Sequence, residues 1–217
     1  MWFELSAKNH LAKLFDFAVT PFLILLTYVF APRRLYLFST GERGVTNSLV
    51  VAIWFSLLTS FGLKAYLKSS FWTEKRSEVE IENLVIGLNS PFSMEIGIIP
   101  VFFLAYVAAL VPGVLFFRGW LARTNAISLF IICAGTSNFL FIPLGAMFSI
   151  PEKLFYVFIP SIAALGFFLN IGSLISGASW FQSILFFFST TFLTLHLSNY
   201  FEPAYEAVIG GYGMILN

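Results

Sequence analysis

Charge is scarce in this sequence. Between Lys153 and Glu202 there are 48 consecutive residues without an Asp, Glu, Lys or Arg, and charged side chains make up 11% of the 217 residues. Soluble domains carry charge at about one residue in four, so a gap this long excludes an ordinary water-soluble domain there. Cysteine is nearly absent too: Cys133 stands alone, inside an apolar segment. One thiol cannot form an intramolecular disulfide, and with 2 histidines in the chain no Cys/His cluster exists to hold zinc or an iron–sulfur centre. A net charge of +1, with no run of five Lys or Arg, leaves no electrostatic footprint for nucleic acid. The signatures of membrane proteases are missing as well: there is no Gly-x-Ser-Gly, no intramembrane Asp pair, no Glu-Glu dyad and no His-Glu-x-x-His helix. No enzymatic chemistry, catalytic residue, metal or cofactor is expected.

What the chain has in abundance is apolar surface. It is 59% hydrophobic, has 28 phenylalanines, and reaches a mean hydropathy of +0.87. A bilayer core needs about 20 apolar residues per helical crossing. The uncharged run therefore holds two crossings, joined by the hinge Ser176-Gly177-Ala178-Ser179. The expected fold is all-α, a polytopic transmembrane bundle with five firm crossings: Ser48–Leu67, Ile96–Phe117, Ala126–Ser149, Leu154–Ile175 and Trp180–Asn199.

Phe17 to Ala31 is strongly apolar but spans only roughly 23 Å as a helix, short of the ~30 Å hydrocarbon core. It reads as an N-terminal interfacial helix, with a short sixth crossing as the alternative. It is not a cleavable signal, because Pro32-Arg33-Arg34 stands where a small-residue cleavage site belongs. Residues 1–46 thus form an interfacial helix and basic bend. Residues 47–217 form the bundle, interrupted by a polar stretch at 68–95. Within that stretch Ile81, Leu84, Val85 and Leu88 have helical spacing, as in an amphipathic helix resting on the membrane surface. With five crossings, Lys8, Lys13, Arg33, Arg34, Arg43, Arg118 and Arg123 share one side, against Lys68, Lys75, Arg76 and Lys153 on the other. The positive-inside rule then puts the N-terminus in the cytoplasm and the C-terminus outside. With six crossings the Lys/Arg balance is nearly even.

Helices in lipid associate through small residues and occasional hydrogen bonds. Ala52, Ser56 and Ser60 repeat every four residues, as do Ala105 and Ala109, while Ala163, Gly166, Asn170, Ser173 and Gly177 share a face. These are expected helix contacts. A second reading has Asn138 and Asn170 meeting across a polar cavity, with Ser137 and Ser173 beside them. His196 is the one ionisable side chain well inside a crossing, and it lies close to an interface.

The segment Phe30-Ala31-Pro32-Arg33-Arg34-Leu35-Tyr36-Leu37-Phe38, then Gly41-Glu42-Arg43, then a crossing from Ser48, resembles the opening of prokaryotic Yip1-type membrane proteins. The later layout is similar to theirs also: a crossing ending in Pro112-Gly113-Val114-Leu115-Phe116-Phe117-Arg118, a short basic loop, then three crossings. The resemblance implies a compact bundle in a bacterial or archaeal cytoplasmic membrane and carries no catalytic residues.

The function expected is non-catalytic binding of membrane lipids and of other membrane proteins or a second copy. A small permease or channel-like subunit, with Asn138, Ser137, Asn170 and Ser173 lining its path, is the alternative. An immunity-type protein that blocks a toxin is a third reading.

Overall fold

The computed structural model describes residues 17–67, 93–147, 152–175 and 177–215. Every regular element among them is helical, and none is a strand. In chain order they are α1 (Phe17–Phe30), a 3-10 helix (Pro32–Phe38), α2 (Gly41–Leu67), α3 (Ser93–Phe116), α4 (Trp120–Met147), α5 (Glu152–Leu174) and α6 (Trp180–Ile215). By length and composition, the Trp180–Leu197 stretch of α6 is the one among the described residues long and apolar enough to cross a membrane. Shorter apolar helical stretches are Phe17–Phe30, Leu104–Phe116 and Phe158–Leu174. The surface helix expected around Ile81–Leu88 lies outside the described residues, as do the residues before Phe17.

Local chemistry explains where the helices stop. Pro32 follows α1 and opens the 3-10 helix, a first-turn position that its fixed φ and missing N–H suit. Gly119 separates α3 from α4 with φ +84, a left-handed conformation that a side chain would strain. The Arg123 Nε–H donates to the carbonyl of Phe117 at 2.9 Å, occupying one of the carbonyls left free where α3 ends. At the start of α6, Ser179 and Gln182 form a reciprocal capping box. The Gln182 N–H donates to Ser179 Oγ at 3.1 Å, and the Ser179 N–H to Gln182 Oε1 at 3.2 Å.

α4 is the central element and touches α2, α3, α5 and the 3-10 helix. Its run from Asn125 to Cys133 is buried on all sides, the pattern of a helix surrounded by others. Phenylalanines join the neighbours. Phe55 of α2 stacks on Phe139 of α4 at 4.7 Å between ring centroids. Phe186 of α6 meets Phe117 at 5.2 Å and Phe167 of α5 at 5.7 Å. Such pairs add about 0.5–1.5 kcal/mol each beyond the area they bury.

α1 sits in the bundle. Pro21, Ile24 and Tyr28 are buried, and Phe17 and Phe22 lie 6.0 and 6.5 Å from Trp54 of α2. At 1.5 Å per residue α1 descends about 21 Å from the Pro32 bend, about the depth at which Trp54 lies below the start of α2.

Candidate functional site: a clamped basic bend

Residues 31–41 carry backbone groups that the 3-10 helix and its flanking turns leave free, and three asparagines on three different helices supply partners. Asn170 of α5, fully buried, donates from Nδ2 to the Pro32 carbonyl at 2.7 Å and to Gly166 of its own helix at 2.8 Å. Its Oδ1 accepts the backbone N–H of Tyr36 at 3.1 Å. Asn125 of α4 accepts the N–H of Gly41 at 2.9 Å, and Asn47 of α2 donates to the Phe38 carbonyl at 2.9 Å. An amide offers both a donor and an acceptor, so one residue type can serve either backbone group. Gly41 takes φ +60 at the turn into α2, and a Cβ on Gly44 would collide with the Ser39 carbonyl.

Below the bend, Tyr28 keys α1 into the bundle. Its hydroxyl donates to the carbonyl of Ile162 at 2.8 Å and lies 2.6 Å from Ser137 Oγ. A phenol has one proton, so Ser137 is the donor in the second bond. Gly166 permits this approach, because a Cβ there would lie 2.9 Å from the Tyr28 ring and 3.2 Å from Cys133 Sγ. On the other flank Ser48 of α2 bonds the hydroxyl of Tyr106 of α3.

The clamp gathers charge at one end of the bundle. α2, α4 and α6 begin there and α3 and α5 end there, which among the described residues brings Arg33, Arg34, Arg43, Arg118 and Arg123 together with a single carboxylate, Glu42. Trp120 and Trp180, at the starts of α4 and α6, are exposed at the same end.

The residues singled out by sequence have separate fates. Ser137 and Asn170 are both engaged, but in different contacts: Ser137 with Tyr28, Asn170 with the bend. Asn138 donates to the Ala134 carbonyl of its own helix at 2.9 Å. Ser173 is exposed in the last turn of α5, and Gly177 sits in the loop beyond, with φ +88. His196 is exposed and stacks on Phe192, 5.9 Å between ring centroids. Ala52, Ala105, Ala109 and Gly166 are buried at helix contacts. Ser56 and Ser60 fall on α2, and their side chains lie outside the described part.

Sequence reasoning missed Asn47, Asn125 and Tyr28. The two asparagines stand just outside apolar runs, next to Ser48 and Ala126, where no pattern marks them. A phenol in an apolar segment was the available signal for Tyr28, since a buried hydroxyl needs a partner.

Along the outside, α3 and α6 enclose a groove of about 480 Å³ whose lining is apolar apart from Ser189. No group of three or more His, Cys, Asp or Glu among the described residues could hold a metal. No protein family, curated protein or solved structure matches the chain.

Proposed function

We propose that this is a non-catalytic integral membrane protein that acts by binding lipids and partner membrane proteins, with α2 to α6 as crossings. The observation that carries the reading is the distribution of polarity. Phe30, Leu115, Phe181 and Phe192 are 80%, 70%, 69% and 68% exposed, while Asn125, Thr136, Ser137 and Asn170 are buried and hydrogen-bonded. Water-soluble proteins seldom leave large contiguous apolar surface uncovered, whereas a bilayer is the solvent in which that surface is at ease and polar groups must find partners inside. Arginines and tryptophans at one end match the headgroup level of a membrane. The depth of α1 along the bundle supports its reading as a short sixth crossing. The Yip1-type layout belongs to the same proposal and rests on the Pro32-Arg33-Arg34 bend leading into α2.

Binding is favoured over conduction because Ser137 and Asn170, two residues of the suggested path, hold α1 and the bend, and Ser173 faces outward. Purification from native membranes tests the proposal. The chain should stay in the membrane through alkaline carbonate washing and come out in mild detergent with a partner protein or tightly held lipid. Release by carbonate would remove the membrane reading, and solute uptake in proteoliposomes would make the permease the leading account.

A further inference from the structure

We propose that the groove between α3 and α6 binds one anionic phospholipid, with an acyl chain along the groove and the phosphate on Arg118 and Arg123. The inference rests on the membrane reading above and gives it a site and a ligand class. The groove's volume of about 480 Å³ falls within the roughly 300–1,000 Å³ of ordinary ligand pockets. Its wall is built from Leu115 and Phe116 on α3 and from Phe188 and Phe192 on α6, which suits a hydrocarbon chain and offers nothing to a polar solute except Ser189.

The chemistry at its end is different. Phe116 lines the groove, and its neighbour Phe117 turns inward, buried with its ring 5.2 Å from Phe186. The Phe117 carbonyl holds Arg123 through Nε at 2.9 Å, and Arg118 follows immediately, exposed. One guanidinium, that of Arg123, is thus held at the residue next to the groove wall, and Arg118 stands two residues beyond Phe116. A guanidinium has five N–H donors, so Arg123 keeps four after bonding the carbonyl. The planar fork of arginine fits phosphate oxygens in pairs. Among the described residues no carboxylate pairs with Arg118, and the one acid of this end, Glu42, stands in the first turn of α2.

A second copy of the chain fits the groove less well. A two-fold dimer across α3 and α6 with both copies in one membrane orientation would set Arg118 and Arg123 beside their own images. That arrangement gathers positive charge where an anion is wanted. A lipid phosphate cancels the charge while its chain covers Leu115 and Phe192.

The test is lipid retention, measured by native mass spectrometry of the full chain in mild detergent supplied with equal phosphatidylglycerol and phosphatidylcholine. The wild type should retain one phosphatidylglycerol in preference. Arg118→Gln should lower that preference about tenfold, the size of one lost charge-assisted contact. Leu115→Trp, at an exposed position, should displace the chain and lower retention of both lipids. Arg33→Gln, at the bend, should change neither. Equal retention of the two lipids by the wild type would overturn the proposal, as would preference lost in Arg33→Gln but kept in Arg118→Gln. A dimer that forms without lipid and is broken by Leu115→Trp would overturn it in favour of a second copy. Failure of the membrane reading shows separately, as release of the wild type by carbonate.

Discussion

Replacing Asn170 with leucine removes a residue that one helix uses to hold two backbone groups of a distant segment. The Pro32 carbonyl loses its donor at 2.7 Å and the Tyr36 N–H loses its acceptor at 3.1 Å. The third bond, to Gly166, lies within α5 and counts for little between elements. A typical intramolecular hydrogen bond contributes about 0.5–1.5 kcal/mol net, and a buried group left unsatisfied costs about 1–3 kcal/mol. Pro32 and Tyr36 are half-buried, so water can partly replace the lost partner. The two long-range bonds then come to about 2–3 kcal/mol, above the ~0.6 kcal/mol average for polar contacts between membrane helices. At about 1.4 kcal/mol per factor of ten, local opening of the bend should become roughly 30–150 times more frequent. Arg33 and Arg34 stand exposed in that bend, so trypsin reports on it directly. Cleavage there should accelerate by a similar factor when opening and closing are fast relative to cutting. Asn138→Leu, which removes only a bond within one helix, is the matched control. If Asn170→Leu melts no earlier than Asn138→Leu in detergent and trypsin cuts both at the wild-type rate, the clamp does not hold the bend.

Four further outcomes are expected. Tyr28→Phe should cost about 1–2 kcal/mol by stranding Ser137 and the second lone pair of the Ile162 carbonyl, and a cycle with Ser137→Ala should show coupling of at least about 0.5 kcal/mol; strict additivity in thermal melts would refute the pairing. Gly166→Leu should destabilise more than Asn170→Leu, because even a Cβ would lie 2.9 Å from a Tyr28 ring pinned by two hydrogen bonds; the reverse ranking in detergent would refute the close approach. Tags on the two termini should be accessible from the same side of sealed vesicles, since α1 runs down the bundle from the bend as α6 does; tags on opposite sides would restore the interfacial reading of α1. His196→Gln should leave the pH profile of any activity unchanged between about pH 5 and 8; a pH-dependent flux lost in that variant would favour the permease.

The helices were legible because apolar runs and Pro/Gly breaks have local causes, although their ends were less so. α2 begins at Gly41 rather than Ser48, α4 at Trp120 rather than Ala126, and α6 continues to Ile215 past Asn199. An apolar run marks how far hydrocarbon extends, whereas a helix bonds its own backbone and can continue through polar residues. Ala52, Ala105, Ala109 and Gly166 are buried, and their small size, a property of the residue itself, is what the sequence could offer toward that. The partners of Asn47, Asn125 and Asn170 are backbone groups, which every sequence position offers equally, so no pattern could point to the bend. Ser173 shares a helical stripe with Asn170, but it sits in the last turn of α5, three residues beyond the contact with the 3-10 helix, and is exposed.

The spacing of the clamp sets an order on assembly. Pro32 leaves the ribosome 138 residues before the asparagine that will hold its carbonyl. At about 5–20 residues per second, α1 and the bend wait roughly 7–28 s for α5 to be made. Tyr28 waits as well, since Ser137 follows it by 109 residues and Ile162 by 134. α1 and the bend are thus made before the helices that lock them, and mutations in the bend should act on the yield of assembled protein as well as on its melting temperature.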